Sequence, residues 1–299
     1  MLIYILSRDP KLYSTRRLYL AGTKEKHNVR VINHMHCDLM IREGKFEVYY
    51  NDQKLLRPDL VIPRIGSSVT EYGTAVVKHF ERDKIPVFNT SNGILNSRDK
   101  YKSLQILTSN GIEVPMSYYS YDQNYAQKII REHLGFPFIL KVLEGTQGEG
   151  VYLIKSASEA EELFNHYYKR SIRVLLQEYI AEFSGKDIRA FVVGDKVVAA
   201  MMRVAQAGNF KANIHQGGKG EVVHLSEKEK EIAIRATKVL GLKFAGVDIL
   251  RSVRGPLILE VNSSPGLEGI EGTTKISVAD EIIQAACNYA LNFSNHENK

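Results

Sequence analysis

Only two cysteines, Cys37 and Cys287, occur in this 299-residue chain. They lie far apart in sequence, offer no disulfide framework, and fit a reducing cytoplasm. No apolar run approaches the ~20 residues that a membrane-spanning helix needs. The apolar start, Met1 to Leu6, has no basic stretch before it and runs into Ser7-Arg8-Asp9-Pro10. It reads as a first strand and not as a signal peptide. The net charge is +6, yet no dense block of lysine and arginine accompanies it. That balance suits a mildly cationic surface able to attract polyphosphates or acidic tails, and it does not imply nucleic-acid binding. Tyr118, Tyr119 and Tyr121 lack the basic stripe that a single-strand-binding platform requires. Internal repeats and low-complexity linkers are missing too.

What is present is enough for a substantial core, since 44% of the residues are hydrophobic. The length suits two or three lobes around a cleft. Strands over Leu2–Leu6, Val29–Ile32, Phe46–Tyr50, Leu60–Ile62 and Ile85–Asn89 alternate with helices over Tyr13–Lys26 and Val69–Arg82. This alternation predicts an open α/β layer over residues 1–95. A helix over Ser97–Asn110, another over Gln123–Leu134 and a third over Ser158–Tyr168 accompany strands at Phe136–Leu143, Val151–Ile154 and Val174–Ile180. These make a small α+β lobe, 96–185. Strands then dominate 186–292: Ile188–Val193, Val197–Met202, Glu221–His224, Phe244–Leu250 and Pro256–Val261. Helices are expected over Ser226–Leu240 and Val278–Leu291, with residues 205–220 as a loop and 293–299 as a frayed polar tail.

The sharpest chemical cluster is Asp248, Glu260 and Asn262. Asp248 lies within an apolar strand, and Glu260 and Asn262 share one face of the next strand, being two residues apart. Carboxylates among apolar neighbours are costly unless a cation neutralises them. Two carboxylates and an amide oxygen suit Mg²⁺ or Mn²⁺ shared with substrate phosphates. An ordinary hairpin with polar residues facing water is the plainer alternative.

Lys141 sits in the apolar run Phe136–Leu143, where an ammonium either snorkels or meets an anion. Gly145, Gly148 and Gly150 follow it, a spacing that lets backbone N–H groups close over phosphates but matches neither a Walker A loop nor a dinucleotide fingerprint. Lys100, in Ser97-Arg98-Asp99-Lys100, sits at a helix start with Ser97 as the expected cap. No Ser-Asp-Asn or Lys-Thr-Gly partner accompanies that string, which excludes a serine acylase. Glu178 and Tyr179 end a strand and Asp187 opens the next, a setting for an adenine amine and ribose hydroxyls. Arg189 and Arg203 lie on successive strands, and their forks suit phosphoryl and carboxylate oxygens, although each alone reads as a surface ion pair. The stretch from Asn33 to Asp38 invites a zinc reading, but no second ligand cluster exists and a solvent-facing loop is preferred.

These motifs resemble the RimK family of ATP-grasp ligases, which add glutamate to the C-terminus of small-subunit ribosomal protein six. The resemblance covers nearly the whole chain. It is carried by Ile5-Leu6-Ser7-Arg8, Leu12–Thr15, Val61–Gly66, Ser97–Lys100, Glu144–Gly148, Ala245–Leu250 and Glu260–Glu271. It implies a pre-ATP-grasp α/β domain followed by a two-lobed ATP-grasp fold. It also implies an amide-forming ligase that works through an acyl-phosphate, with ATP and two Mg²⁺ or Mn²⁺ ions. By the same resemblance Lys100 and Lys141 meet ATP, Glu178 and Tyr179 hold adenine, and Asp187 takes ribose. Lys211 and Asn213 lie on the nucleotide and phosphate side. Asp248, Glu260 and Asn262 match the metal site, Arg203 matches the arginine that stabilises the transferring phosphoryl group, and Ser264 and Gly266 match the loop that receives the carboxylate substrate; Arg189, on the neighbouring strand, is the second catalytic candidate. The implied partners are free glutamate and a ribosomal protein tail, in a cytoplasmic homo-oligomer with no membrane or nucleic-acid contact. The chain departs from the family pattern at Glu149, Lys211, Gln216, Gly272 and Lys275, which bears on its substrates. Ligation of an amino acid onto a small molecule or cofactor is the alternative within the class. A nucleotide-binding regulator of translation is the alternative outside it.

Overall fold

The computed structural model describes residues 1–120, 122–143, 150–206 and 218–297, with side chains described to residue 293. In chain order, β1 (Leu2–Leu6), α1 (Tyr13–Lys24), β2 (Asn28–Ile32), β3 (Cys37–Arg42), β4 (Lys45–Tyr50), β5 (Gln53–Lys54), β6 (Leu60–Pro63) and α2 (Thr70–Arg82) come first. Then follow α3 (Ser91–Arg98), α4 (Lys100–Ser109), β7 (Ser117–Ser120), α5 (Gln123–Ile129), β8 (Phe138–Val142), β9 (Val151–Ile154), α6 (Ala157–Tyr168) and β10 (Val174–Glu178). The last stretch holds β11 (Lys186–Val193), β12 (Lys196–Val204), β13 (Lys219–Val222), α7 (Glu227–Val239), β14 (Phe244–Ser252), β15 (Gly255–Asn262), α8 (Glu268–Thr274) and α9 (Val278–Glu297).

The first layer is a parallel sheet, β2-β1-β6, with α1 and α2 against it. Its inner strand β1 and its neighbour β6 are apolar on both faces, as buried parallel strands are, whereas β2 exposes Asn28 and Arg30. The expected strand over Ile85–Asn89 is reduced to a single parallel bridge, Val61 to Val87. Pro86 within it has no N–H to donate, which limits the ladder. The loop expected from Asn33 to Asp38 gives way at Cys37 to a strand, Cys37–Arg42, in the side sheet β3-β4-β5. Both of that sheet's turns carry paired positive-φ residues, Glu43-Gly44 and Asn51-Asp52, the backbone that tight hairpins need.

Two further sheets form the cleft. The smaller has the order β7-β10-β8-β9 and the larger β13-β12-β11-β14-β15. Helix α9 packs between the first layer and the larger sheet, so Ile3, Ile5, Phe244, Ile282 and Ile283 share one core. Buried Asn89 seals that seam. Its amide donates to the carbonyls of Phe244 and Ser263 at 2.9 and 3.0 Å and accepts from the N–H groups of Lys243 and Phe244.

The single helix expected over Ser97–Asn110 is two helices. Asp99, with ψ of 104°, leaves helical geometry and caps α4 by accepting from the N–H groups of Tyr101 and Lys102. Ser97 is therefore no cap; it sits in the last turn of α3 and donates back to the Ile94 carbonyl. A carboxylate satisfies two orphan N–H groups and favours the positive helix end. The closing helix runs past the expected Leu291 to Glu297, so residues 293–297 continue α9.

Candidate active site

The site lies on one face of the larger sheet, where polar residues from four adjacent strands meet. Register pairs Asp187 with Arg203, Arg189 with Asp248, Asp248 with Glu260, and Gly246 with Asn262. Directly paired residues project to the same side, so the group forms a continuous polar row in an otherwise apolar sheet. A bulge aligns it. Ile249 pairs with Ile258 but Asp248 pairs with Glu260, leaving Leu259 as the extra residue. An unbroken ladder would have set Leu259 opposite Asp248 and turned Glu260 to the other face.

Asp248 is 3% exposed. Its Oδ1 accepts from Arg189 Nε at 2.7 Å, and its Oδ2 accepts from Arg189 Nη2 at 2.7 Å and Arg203 Nη2 at 2.9 Å. Burial raises its pKa, but the two guanidinium groups outweigh that and hold it below the usual carboxylate value. Arg203 also clasps Asp187, donating from Nε to Oδ1 and from Nη2 to Oδ2. Burial opposes the Arg203 charge, and Asp248 and Asp187 overcome it, so its pKa is raised. Both arginines are thus committed to buried ion pairs and are not surface residues. Asp187, expected at the ribose, is 8% exposed and serves Arg203 in this geometry instead of standing open.

Glu260 is the exposed member of the row. With the Asn262 amide oriented to suit its neighbours, Nδ2 donates to Glu260 Oε1 at 2.9 Å and Oδ1 accepts from Arg189 Nη2 at 3.1 Å. Glu260 is the attractive charge felt by Arg98, Lys100 and Lys141. Among the described residues no group of three His, Cys, Asp or Glu is disposed to hold a metal ion. The donors still fit Mg²⁺. Glu260 and Asn262 offer hard oxygens, and Asp248 Oδ1, which accepts one hydrogen bond, retains a lone pair. Such a set binds through a few protein oxygens completed by substrate phosphates and water. His34 is buried, contrary to a solvent-facing loop.

Lys141 is on β8, facing the same cleft. Its Nζ donates to Gln177 Oε1 at 2.6 Å, and burial pushes its pKa down to about 8 despite Glu260. Lys100, the first residue of α4, donates to the Leu143 carbonyl at 3.1 Å, and burial lowers its pKa too. The Glu178 carboxylate accepts from Met116 N–H at 2.7 Å and pairs with Arg254, so its side chain braces the lobe at the end of β10. Tyr179 follows it, its hydroxyl bonded to Ser184. Ser264 and Gly266 lie just beyond β15, and the Ser264 hydroxyl is buried without a partner among the described residues. Gly150 adopts φ of +72°, and a Cβ there would come within 2.8 Å of Val142. Gly145, Gly148, Lys211 and Asn213 lie outside the described residues, as do Glu149 and Gln216.

Sequence reasoning missed Arg64 and Arg98 as parts of this site. Arg64 Nη2 donates to the Pro265 carbonyl at 2.6 Å, and Arg98 Nη2 donates to the Ile65 carbonyl at 2.7 Å. The clue available was the arginine directly after an apolar strand in Val61-Ile62-Pro63-Arg64.

The RimK PreATP-grasp domain family matches residues 1–94, and the RimK-like ATP-grasp domain family matches residues 97–286. A probable alpha-L-glutamate ligase from a Picosynechococcus species is 49% identical over 95% of this chain and 94% of its own length. A protein of the same description from Coxiella burnetii is 45% identical over the same shares. The solved structure of the ATP-grasp ligase PsnB complexed with minimal precursor superposes with a TM-score of 0.76 at 21% identity, covering 96% of this chain and 98% of that one. The pre-ATP-grasp layer, the two-sheet cleft and these matches agree, and the chain belongs to the RimK-like ATP-grasp family of ligases.

Proposed function

We propose that the protein is an ATP- and Mg²⁺-dependent ligase that adds glutamate to the C-terminus of a ribosomal protein. The observation that carries the chemistry is the row Asp187–Arg203–Asp248–Arg189–Asn262–Glu260, facing a cleft that also holds Lys100 and Lys141. Its kinship with alpha-L-glutamate ligases at 45–49% identity supports glutamate as the amine. The ribosomal acceptor rests on the sequence resemblance.

In the first step an acceptor carboxylate oxygen bonds to the γ-phosphorus, the bond from phosphorus to the β–γ bridging oxygen breaks, and ADP leaves. In the second, the glutamate nitrogen bonds to the acyl carbon, the acyl C–O bond breaks, phosphate leaves, and the nitrogen loses a proton. Lys141 and Lys100 hold phosphate oxygens. Glu178 and Tyr179 flank the adenine, and Asp187 lies toward the ribose while fixing Arg203. Asp248, Glu260 and Asn262 hold Mg²⁺, which when bound spreads the charge of the transferring phosphoryl group. Arg203, already fixed by two carboxylates, needs no reorganisation to meet that charge. Arg189 keeps Asp248 and Asn262 in place. No covalent nucleophile is required.

Incubation with ATP, Mg²⁺, glutamate and a candidate ribosomal protein, read by mass spectrometry, tests this. The expected product carries added glutamyl residues at its C-terminus, with ADP formed. Ligation onto a small carboxylate, and none onto the protein, would remove the ribosomal reading while keeping the ligase. Absence of any ATP-dependent amide would remove both.

A further inference from the structure

The three parallel strands β1, β2 and β6 end side by side, and each is followed at once by polar residues: Ser7-Arg8, Asn33-His34 and Arg64. Ligands of open α/β sheets collect at such carboxyl ends, where the following loops diverge. Here the edge abuts the loop after β15. Arg64 Nη2 reaches the carbonyls of Pro265 and Ser264, at 2.6 and 3.5 Å. Arg98 comes in from the end of α3 and is tied to the Ile65 carbonyl.

The anchored ends of these side chains are satisfied and the others are not. Arg64 Nη1, Arg98 Nε and Ser264 Oγ are buried without a hydrogen-bond partner among the described residues. Neither arginine has a carboxylate within ion-pair distance among those residues, although both residues are half-buried and not sealed. Burial and the nearby Arg98 push Arg64 down to about 10. Two enclosed cations of like sign are costly, and an anion between them removes that cost. Arg8 adds a third guanidinium: a Cβ at Gly66 would lie 3.4 Å from Arg8 Nη2.

We propose that Arg64 and Arg98, with the Ser264 hydroxyl, form a subsite for a non-reacting carboxylate of the ligation substrates. Paired guanidinium forks match the two oxygens of a carboxylate. A carboxylate held so has its lone pairs occupied and is a poor nucleophile toward phosphorus, so the subsite anchors and does not activate. The Arg64 bond to the Pro265 carbonyl, in the loop directly after Asn262, places the subsite on the first-layer side of the metal residues. The carboxylate comes either from the incoming amino acid or from an acidic acceptor tail. This assignment rests on the ligase reading above and names the chemistry by which that ligase selects its substrate.

The test uses full-length Arg98→Gln, Arg98→Lys and Ser264→Ala, with Arg64→Gln as a fourth variant because it also loosens the 264–265 backbone. KM and kcat are measured separately for ATP, L-glutamate and an acceptor peptide. Glutarate, a dicarboxylate with no amine, is titrated calorimetrically with ADP and Mg²⁺ present. Loss of charge-assisted hydrogen bonds should raise KM for one carboxylate substrate about 10- to 100-fold, with KM for ATP within about twofold. Glutarate affinity should fall in parallel. A KM effect on glutamate identifies the amino acid as the source, and one on the peptide identifies the acceptor. Arg98→Lys should recover little, since an ammonium has no fork. Unchanged KM for both carboxylate substrates in the folded variants overturns the subsite, as does glutarate that fails to bind or binds the variants equally. If the wild-type chain ligates nothing, glutarate binding that depends on Arg98 still upholds the subsite while the ligase reading falls.

Discussion

Arg203 Nη2 lies 2.9 Å from Asp248 Oδ2, and the same guanidinium clasps Asp187, so one buried cation joins three strands of the larger sheet. At 6% exposure it is a structural residue as well as a candidate for transition-state contact. Removing it strands Asp187 in low dielectric, at about 3–5 kcal/mol, while Asp248 keeps Arg189. Arg203→Met should lower urea stability by that amount, and adding Asp187→Asn should recover part of the loss. Strict additivity of the two changes would show that the carboxylate is not stranded.

Arg203→Lys keeps the charge and loses the fork. Hydroxamate trapping of the acyl-phosphate should fall by ~10²–10³-fold, with ATP affinity changed far less. Equal losses of affinity and rate would mean that Arg203 contacts ground-state nucleotide, and the transition-state role would have to be dropped.

Glu260→Gln should leave the fold intact, because Glu260 is exposed while Asp248 keeps both arginines. Turnover measured as ADP release with a competent acceptor should drop at least ~100-fold, from loss of a metal oxygen's charge. Near-normal turnover at saturating Mg²⁺ would remove Glu260 from the metal site.

Lys141→Met should weaken ATP binding while preserving stability, since burial already disfavours the charged ammonium. The calorimetric Kd for ATP is expected to rise about tenfold or more, in the range of a lost charge-assisted bond. An unchanged Kd would place the nucleotide elsewhere.

His34 supplies a pH dependence of stability. It is 0% exposed, and burial, with Arg8 nearby, pushes its pKa down to about 4. The unfolded chain takes up a proton near pH 6.5 that the folded chain refuses until about pH 4. Stability is therefore complete above pH 6.5 and is lost as pH falls through that window. Between pH 7.5 and pH 5 the loss from this group is about 2 kcal/mol. His34→Leu should remove that increment from urea midpoints compared at the two pH values. Identical pH profiles for wild type and variant would show that His34 is protonated without cost.

Local sequence carried much of this architecture. Apolar runs such as Leu2–Leu6 and Phe244–Leu250 announced strands because their burial on both faces leaves no other pattern. The helix expected over Ser226–Leu240 forms as α7, and a capping box between Ser226 and Glu229 holds its start. The break at Asp99 was less legible, because Ser97 is an equally good cap by composition and only packing selects between them. The strand Cys37–Arg42 was lost among histidines, although its flanking turn Glu43-Gly44 was a usable sign.

Residue types and their spacing set which chemical groups this protein can bring to a cleft: carboxylates and arginines inside apolar strands, and Lys141 before a run of glycines. Their type and spacing are local properties. Which group neutralises which follows from the folded chain. Arg203 meets Asp187 and Asp248 across strand pairings that no local pattern encodes, and Asp248 faces Glu260 because of one extra residue at Leu259. Arg64 and Arg98 come together as the proposed subsite only where the end of the parallel sheet meets the loop after β15, 200 residues away from Arg64 in sequence. Register and long-range docking depend on the summed packing of whole faces, and single residues do not announce them.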